Sequence, residues 1–187
     1  MSCFLFIIGM QNDFINKDGA YPVPDAGSIT RHVLKEVEYF GNNVALINQS
    51  YPEGHDRFDA SPKHCVEETN GVEICSSNLK DYKLFKTNDI LNPINEECVE
   101  LLKQNNVTTV CICGVATEEA VWATAKKTVA LGFKTYLIFD MCRGRDSDKI
   151  TKAIADLKKI GVIPTPHGKL GEVINVEKTN AARNRNN

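Results

Sequence analysis

The apolar residues of the chain form two patterns that alternate from one end to the other. Five short runs are nearly continuous in Val, Ile, Leu and Phe, which is typical of strands buried on both faces of a parallel sheet. Between them lie amphipathic stretches at helical spacing, and this alternation predicts a doubly wound α/β fold with a mainly parallel sheet. The strand candidates are residues 4–10, 44–48, 84–86, 108–115 and 135–140, with a shorter one at 162–163; the helix candidates are 28–40, 95–104, 117–131 and 147–160.

Capping signals mark the ends of two of these helices. Thr117 is a suitable N-cap residue, and Glu118 and Glu119 follow it where negative charge favours a helix start. Gly132 and Gly161 stand where the helix candidates 117–131 and 147–160 should end, because glycine adopts the left-handed conformation that closes a helix. The third helix candidate is therefore predicted to begin at Thr117.

Two segments lack a regular pattern. Residues 50–78 form a long loop, and loops of that length inside compact α/β domains are usually functional. Residues 179–187 are polar and low in complexity, which predicts a disordered tail. Residues 1–178 are therefore interpreted as one domain.

Composition excludes several classes of protein. The chain has 187 residues, a formal net charge of -2 and a pI near 6.1, and no basic stripe indicates a nucleic-acid partner. Its first apolar run is too short for a membrane span. We expect a cytoplasmic protein with seven reduced cysteines, of which Cys111 and Cys113 share one face of a strand and pack in the core.

The residues after each strand are the candidates for a site, because ligands bind beyond the carboxyl ends of parallel strands. Gly9, Gln49 and Lys86 stand at the ends of the first three strands. Ala116 follows the fourth strand and leads into the helix that carries Ala120. We expect the N–H groups at the start of that helix to point into the same crevice and to favour negative charge there.

Several motifs at these strand ends resemble one family. QNDF, GAYPVPDA, PKHCVEETNGVE, KTND and GVATEEAVWATA are similar, in order and spacing, to the nicotinamidase and isochorismatase-like cysteine hydrolases. The resemblance runs from residue 4 to about residue 140. It implies a six-stranded parallel sheet with helices on both faces, commonly a homo-oligomer, and a cis peptide near Val115–Ala116 that shapes an oxyanion hole.

The resemblance also implies a catalytic triad that this chain does not keep. In the family, a carboxylate at the end of the first strand is the base, a lysine at the end of the third supports it, and a cysteine in the helix after the fourth attacks an amide carbonyl. The matching positions here are Gly9, Lys86 and Ala120. Only the lysine is retained, and glycine and alanine can neither take a proton nor form a thioester.

The resemblance also implies a metal site, of which this chain keeps only some of the ligand residues. Nicotinamidases hold a divalent metal through an Asp-x-His pair and two further histidines, and the matching residues here are Gln49, Tyr51, His55 and His64. Two imidazoles are too few for a firm transition-metal site. We therefore expect no cofactor and no bound divalent metal, and we interpret His55 and His64 as residues that stabilise the loop.

The remaining candidates surround the same crevice. The resemblance places Phe14, Val115, Ala116 and Glu119 around the ligand pocket. Without a carboxylate at Gly9, Lys86 needs solvent, an anion or another acid nearby, and Glu119 is the candidate.

Three further side chains are interpreted as structural rather than functional. Asp13 is expected to hold loops through backbone hydrogen bonds, and Asp140 is expected to cap the turn at residues 143–146. Trp122 is expected to pack in the core.

Three hypotheses follow. The first is a pseudoenzyme that binds a small planar or anionic ligand, or acts through its oligomer or an active partner. The second is an active hydrolase of an amide or a vinyl ether, with Glu119 or Asp13 as an unusual base. The third is an interaction protein whose pocket is filled. We rank it last, because Gly9 and Ala120 are smaller than the residues they replace and should enlarge the pocket.

Overall fold

A single six-stranded sheet forms the centre of the molecule. The computed structural model describes residues 2–176. All neighbouring strands are parallel, in the order β3-β2-β1-β4-β5-β6, which confirms the predicted fold class. The strands are β1 Ser2–Ile8, β2 Val44–Gln49, β3 Lys83–Thr87, β4 Val107–Val115, β5 Lys134–Arg143 and β6 Ile163–Thr165.

The sheet is covered on both faces. Successive side chains of a strand point to opposite faces, and after Ser2 every residue of β1 is buried. The edge strand β3 is less covered, with Phe85 buried and Lys83 and Lys86 exposed. The chain runs outward through β2 and β3 and returns to β4 on the other side of β1. The crevice at this reversal, beyond the carboxyl ends of β1 and β4, is where ligands bind in such sheets.

The four predicted helices are present apart from their ends, and residues 12–15 and those from Leu170 onward form helices that were not predicted. The helices are α1 Asn12–Ile15, α2 Gly27–Glu36, α3 Glu96–Gln104, α4 Trp122–Ala130 and α5 Ser147–Lys159, and one more begins at Leu170 and continues to the last described residue. Within residues 2–176 none of them is long and apolar enough to cross a membrane. The predicted tail, residues 179–187, lies outside the described part of the chain.

The start of the helix after β4 differs from the prediction. Ala116, not Thr117, is the N-cap residue, and Thr117–Val121 forms a wide π-helical turn before α4. The N–H groups of Glu119 and Val121 both donate to the carbonyl oxygen of Ala116, which produces this turn. The prediction of Thr117 as the N-cap residue is wrong, because its side chain is drawn into the interior at 1% exposure. The predicted helix ends at Gly132 and Gly161 are confirmed, with φ of +87° and +98°.

Asp140 does not cap the following turn. Because β5 continues to Arg143, Asp140 lies inside the strand, and its carboxylate accepts from the backbone N–H of His167 at 2.9 Å and pairs with His167 Nδ1 at 2.8 Å. Asp146 instead caps α5, accepting from the N–H groups of Asp148 and Lys149. Trp122 packs against the core, as predicted, but it is only partly buried.

The long loop is tied to the carboxyl end of β1 by two polar side chains. Gln11 donates to Gln49 O at 2.7 Å and to Val72 O at 3.0 Å. Asp13 accepts from the N–H of Cys65 at 2.6 Å and from that of Ala20 at 3.0 Å. The interpretation of Asp13 as a loop-holding residue is confirmed. These bonds bring the loop over the crevice.

The backbones of β1 and β4 approach each other closely at Gly114. This residue has φ of +119°, and a Cβ placed on it would overlap the carbonyl oxygen of Ile8 and lie 2.7 Å from the Ile8 nitrogen. Backbone atoms in the middle of a sheet cannot move aside as a flexible side chain can. Only glycine therefore fits at this position.

Gly114→Ala should accordingly destabilise the protein far more than Gly132→Ala. Both glycines have positive φ, but a Cβ on Gly132 would meet no atom within 4 Å. We expect the free energy of unfolding to fall by about 1–3 kcal/mol more for Gly114→Ala, the typical cost of overpacking, as measured by urea denaturation. Equal losses in the two variants would contradict the close approach.

Candidate functional site

The carboxyl ends of β1, β2 and β3 bring the first catalytic positions together. Gly9 follows β1, and its N–H donates to Ile47 O at 3.0 Å. The next residue of β2, Asn48, is the register partner of Lys86 on β3. Gly9 and Lys86 therefore lie on the two sides of β2 at one edge of the sheet. The Lys86 side chain is exposed to solvent.

Main-chain atoms occupy the space in which a side chain at position 9 would begin. Gly9 has φ of +64°, and a Cβ placed on it would lie 2.5 Å from Val115 O and 3.2 Å from Val115 Cγ2. The Val115–Ala116 peptide is cis, as the resemblance implies. The expectation that Gly9 enlarges the pocket is wrong, because the carbonyl of Val115 fills that space.

Apart from Glu119, the rest of the predicted pocket is closed to solvent. Ala120, Ala116 and Phe14 are each 2% exposed, and Val115 is fully buried. The N–H groups of Glu119 and Val121, expected to point into the crevice, are turned to Ala116 O instead. The predicted residues are thus brought together, but as part of the interior.

Glu119 pairs with two arginines and not with Lys86. Its Oε2 lies 3.2 Å from Arg57 Nη2 and 3.6 Å from Arg145 Nη1. The prediction that Glu119 is the partner of Lys86 is wrong, because Lys86 faces solvent while Glu119 reaches over the crevice. The sequence analysis missed both arginines. Each follows a strand, Arg57 after β2 and Arg145 after β5, and that position was the available signal.

Aromatic rings hold Arg145 in place. The guanidinium carbon lies 3.6 Å from the ring centre of Tyr21 and 5.5 Å from that of Phe14. Its Nη2 also donates to Tyr21 O at 3.0 Å. Tyr21, in the segment GAYPVPDA, was also missed. Stacking on a ring fixes the plane of a guanidinium, so Arg145 is oriented before any ligand arrives.

His64 is a buried, neutral imidazole. It is 1% exposed, and burial lowers its pKa to about 4, with the positive charges of Arg57 and Arg145 adding to this effect. Its Nδ1 donates to Pro62 O at 2.6 Å, so Nε2 carries a lone pair and accepts from Arg57 Nε at 3.4 Å. His55 Nδ1 accepts from Arg57 N at 3.1 Å. Both histidines stabilise the loop, as predicted.

The residues at the former metal positions do not fit a metal ion. Tyr51 is fully buried, burial raises the pKa of its hydroxyl far above the usual value, and its OH donates to Gln49 Oε1 at 2.9 Å. The lone pair of His64 Nε2 accepts a hydrogen bond from Arg57. Within residues 2–176, no three His, Cys, Asp or Glu side chains are placed to hold a metal. The Arg57 guanidinium supplies positive charge beside His64.

The fold coincides with a family match. The Isochorismatase domain model matches residues 3–168, which is most of the chain. The chain therefore belongs to the isochorismatase family of nicotinamidase-like proteins.

Individual relatives agree with this assignment. A probable inactive nicotinamidase of Arabidopsis thaliana is 28% identical over 182 residues, covering 87% of this chain and 92% of that protein. The pyrazinamidase of Pyrococcus horikoshii, solved in complex with zinc, is 27% identical with a TM-score of 0.81, covering 89% and 99%. PnC1 from L. infantum, solved in complex with nicotinate, is 22% identical with a TM-score of 0.82, covering 89% and 93%, and supports the fold alone.

Stability should fall in mild acid because of His64. Above pH 6.5 the residue is neutral in both folded and unfolded chains, so it has no effect. As the pH falls towards 4, His64 binds a proton in the unfolded chain but stays largely neutral in the folded chain. This difference should lower the free energy of unfolding by about 3 kcal/mol.

Denaturant titrations across this pH range, on the natural protein and on His64→Gln, measure the effect. The carboxylates titrate in both proteins, so the difference between the two isolates His64. An identical acid dependence in the two would contradict a buried, neutral His64.

Zinc should not stabilise the protein. A ligand present at one hundred times its Kd adds about 2.7 kcal/mol to the free energy of unfolding. Because Arg57 engages His64 Nε2, we expect no change in Tm when zinc chloride is added in excess, measured by scanning calorimetry. A zinc-dependent rise in Tm that is reversed by a chelator and absent in His64→Gln would contradict this.

Proposed function

We propose that the chain is a catalytically inactive member of the isochorismatase family, a pseudoenzyme that keeps the fold of an amide hydrolase without its chemistry. One observation carries the proposal: Gly9 and Ala120 stand at the positions of the family's base and nucleophile. Loss of such groups lowers catalysis by several orders of magnitude. The resemblance to a probable inactive nicotinamidase supports the same conclusion.

The two substitute bases are both engaged elsewhere, which counts against an active hydrolase with unusual chemistry. Glu119 is bound to Arg57 and Arg145. Asp13 uses both carboxylate oxygens to accept from backbone N–H groups. A general base must be aimed at the reacting proton, whereas these partners fix the orientation of both carboxylates.

The remaining functions are then ligand binding and the interaction role of a protein with a filled pocket, and the burial of Ala116 and Ala120 favours the second for the pocket itself. The arginines and aromatic rings over the crevice support a small planar or anionic ligand. We further propose that the protein acts in the cytoplasm as a homo-oligomer, as the resemblance implies. No disulfide joins its seven cysteines, all within the described residues, which supports a reducing compartment.

Ammonia release from nicotinamide tests the proposal. The natural protein and Lys86→Ala should both match a heat-denatured sample, because the lysine has no base or nucleophile to support. Turnover that scales with protein concentration and disappears in Glu119→Gln or Asp13→Asn would overturn the pseudoenzyme and identify the base.

A Gly9→Asp, Ala120→Cys double variant is the positive control. It should melt at a lower temperature than the natural protein, because the new Cβ at position 9 meets Val115 O at 2.5 Å. Gly9→Ala carries the same Cβ without the carboxylate and measures that cost separately. Ammonia release by the double variant alone, assayed below its Tm, would attribute the inactivity to these two positions.

A further inference from the structure

Arg57, Glu119 and Arg145 form an ion cluster at the mouth of the closed pocket. One carboxylate oxygen of Glu119 bridges the two guanidinium groups, at 3.2 Å and 3.6 Å. The side chains are 20%, 27% and 18% exposed. The cluster is therefore partly shielded from water, which strengthens its electrostatic interactions, but a solute can still reach it.

Neither arginine depends on Glu119 for its position. Arg145 is held by the ring and the carbonyl oxygen of Tyr21. Arg57 donates through Nε to His64 at 3.4 Å, and its guanidinium carbon lies 5.9 Å from the ring centre of Tyr51. Removal of the Glu119 carboxylate would thus leave two guanidinium groups in place with no anion between them.

The cluster has more donors than Glu119 can use. Within the described part of the chain, Arg145 Nε is buried and has no hydrogen-bond partner. A buried donor without a partner is costly, and it can be satisfied by a ligand. The bridging distances of 3.2 and 3.6 Å are also longer than the roughly 2.7–2.9 Å of a strong charge-assisted bond. Glu119 is therefore an imperfect partner for the two arginines.

The two guanidinium groups share one carboxylate oxygen. Glu119 Oε2 bridges them, and His64 beside them is kept neutral by its low pKa. Asp13, whose negative charge also lies near His64, accepts from the backbone N–H groups of Ala20 and Cys65. A ligand carboxylate that replaces that of Glu119 would therefore meet both guanidinium groups, which recognise planar carboxylates in their forks and stack on flat groups.

We propose that Arg57 and Arg145 form a binding site for a small carboxylate carried by a planar ring, and that the Glu119 carboxylate occupies the anion position in the free protein. The ligand carboxylate replaces that of Glu119 between the two guanidinium groups. This inference rests on the proposed function, because it concerns the pocket of an inactive protein.

Binding of nicotinate and nicotinamide tests the site, since the two share a ring and differ in charge. Calorimetric titration of Glu119→Gln should give a Kd for nicotinate at least tenfold lower than that of the natural protein, with nicotinamide unchanged. Arg145→Gln in the Glu119→Gln background should abolish the gain. Glu53→Gln, an equal charge change on an exposed residue of the loop that carries Arg57, is the matched control and should leave nicotinate binding unaltered.

Three outcomes would overturn the proposal. They are a folded Glu119→Gln that binds nicotinate no better than the natural protein, an equal gain for nicotinamide, and sulfate binding as tightly as nicotinate. If Glu119→Gln does not fold, nicotinate binding by the natural protein is compared with that by Arg145→Gln. Binding that is undiminished in Arg145→Gln would also overturn the proposal. Hydrolysis of nicotinamide by the natural protein would refute the pseudoenzyme but not the charge selectivity.

Discussion

The carboxyl ends of β1 and β4 pack main chain against main chain, and this contact decides what the protein can do. A side chain on Gly114 would overlap Ile8, and one on Gly9 would meet the carbonyl of Val115. The two glycines are therefore parts of one constraint. It lies at the reversal of strand order, where a parallel sheet opens its binding crevice. The backbone that would frame a catalytic carboxylate instead fills its place.

The other positions that the resemblance assigns to the metal site are held by bonds between protein side chains. Tyr51, at a position that the resemblance implies for a metal-binding histidine, is buried, and its hydroxyl bonds to Gln49. Arg57 supplies a cation from the protein itself and engages His64. Glu119, one residue before the missing nucleophile, supplies the matching anion. Buried charges must be paired, so these replacements keep the region stable without metal or substrate.

Much of the fold could be predicted from the sequence. Continuous apolar runs and helical periodicity depend on neighbours in the chain, so strands, helices and their order were accessible. Gly132 and Gly161 marked helix ends correctly, because closing a helix is a local event. Thr117 was misassigned, because the turn there depends on Ala116 O accepting two N–H groups. Asp140 was misassigned, because its partner, His167, is 27 residues away.

The sequence by itself determined the family and the parallel sheet, and it predicts that the base and the nucleophile are absent, since residue type and spacing are properties of the chain. Only the tertiary structure decided whether the small residues Gly9 and Ala120 leave a space. It also decided where Glu119 turns, towards arginines 62 and 26 residues away and not towards Lys86. Side-chain volumes and charges follow from residue type, but the atoms that fill a gap or neutralise a charge come from distant segments. Their positions are fixed only when the sheet brings its strand ends together.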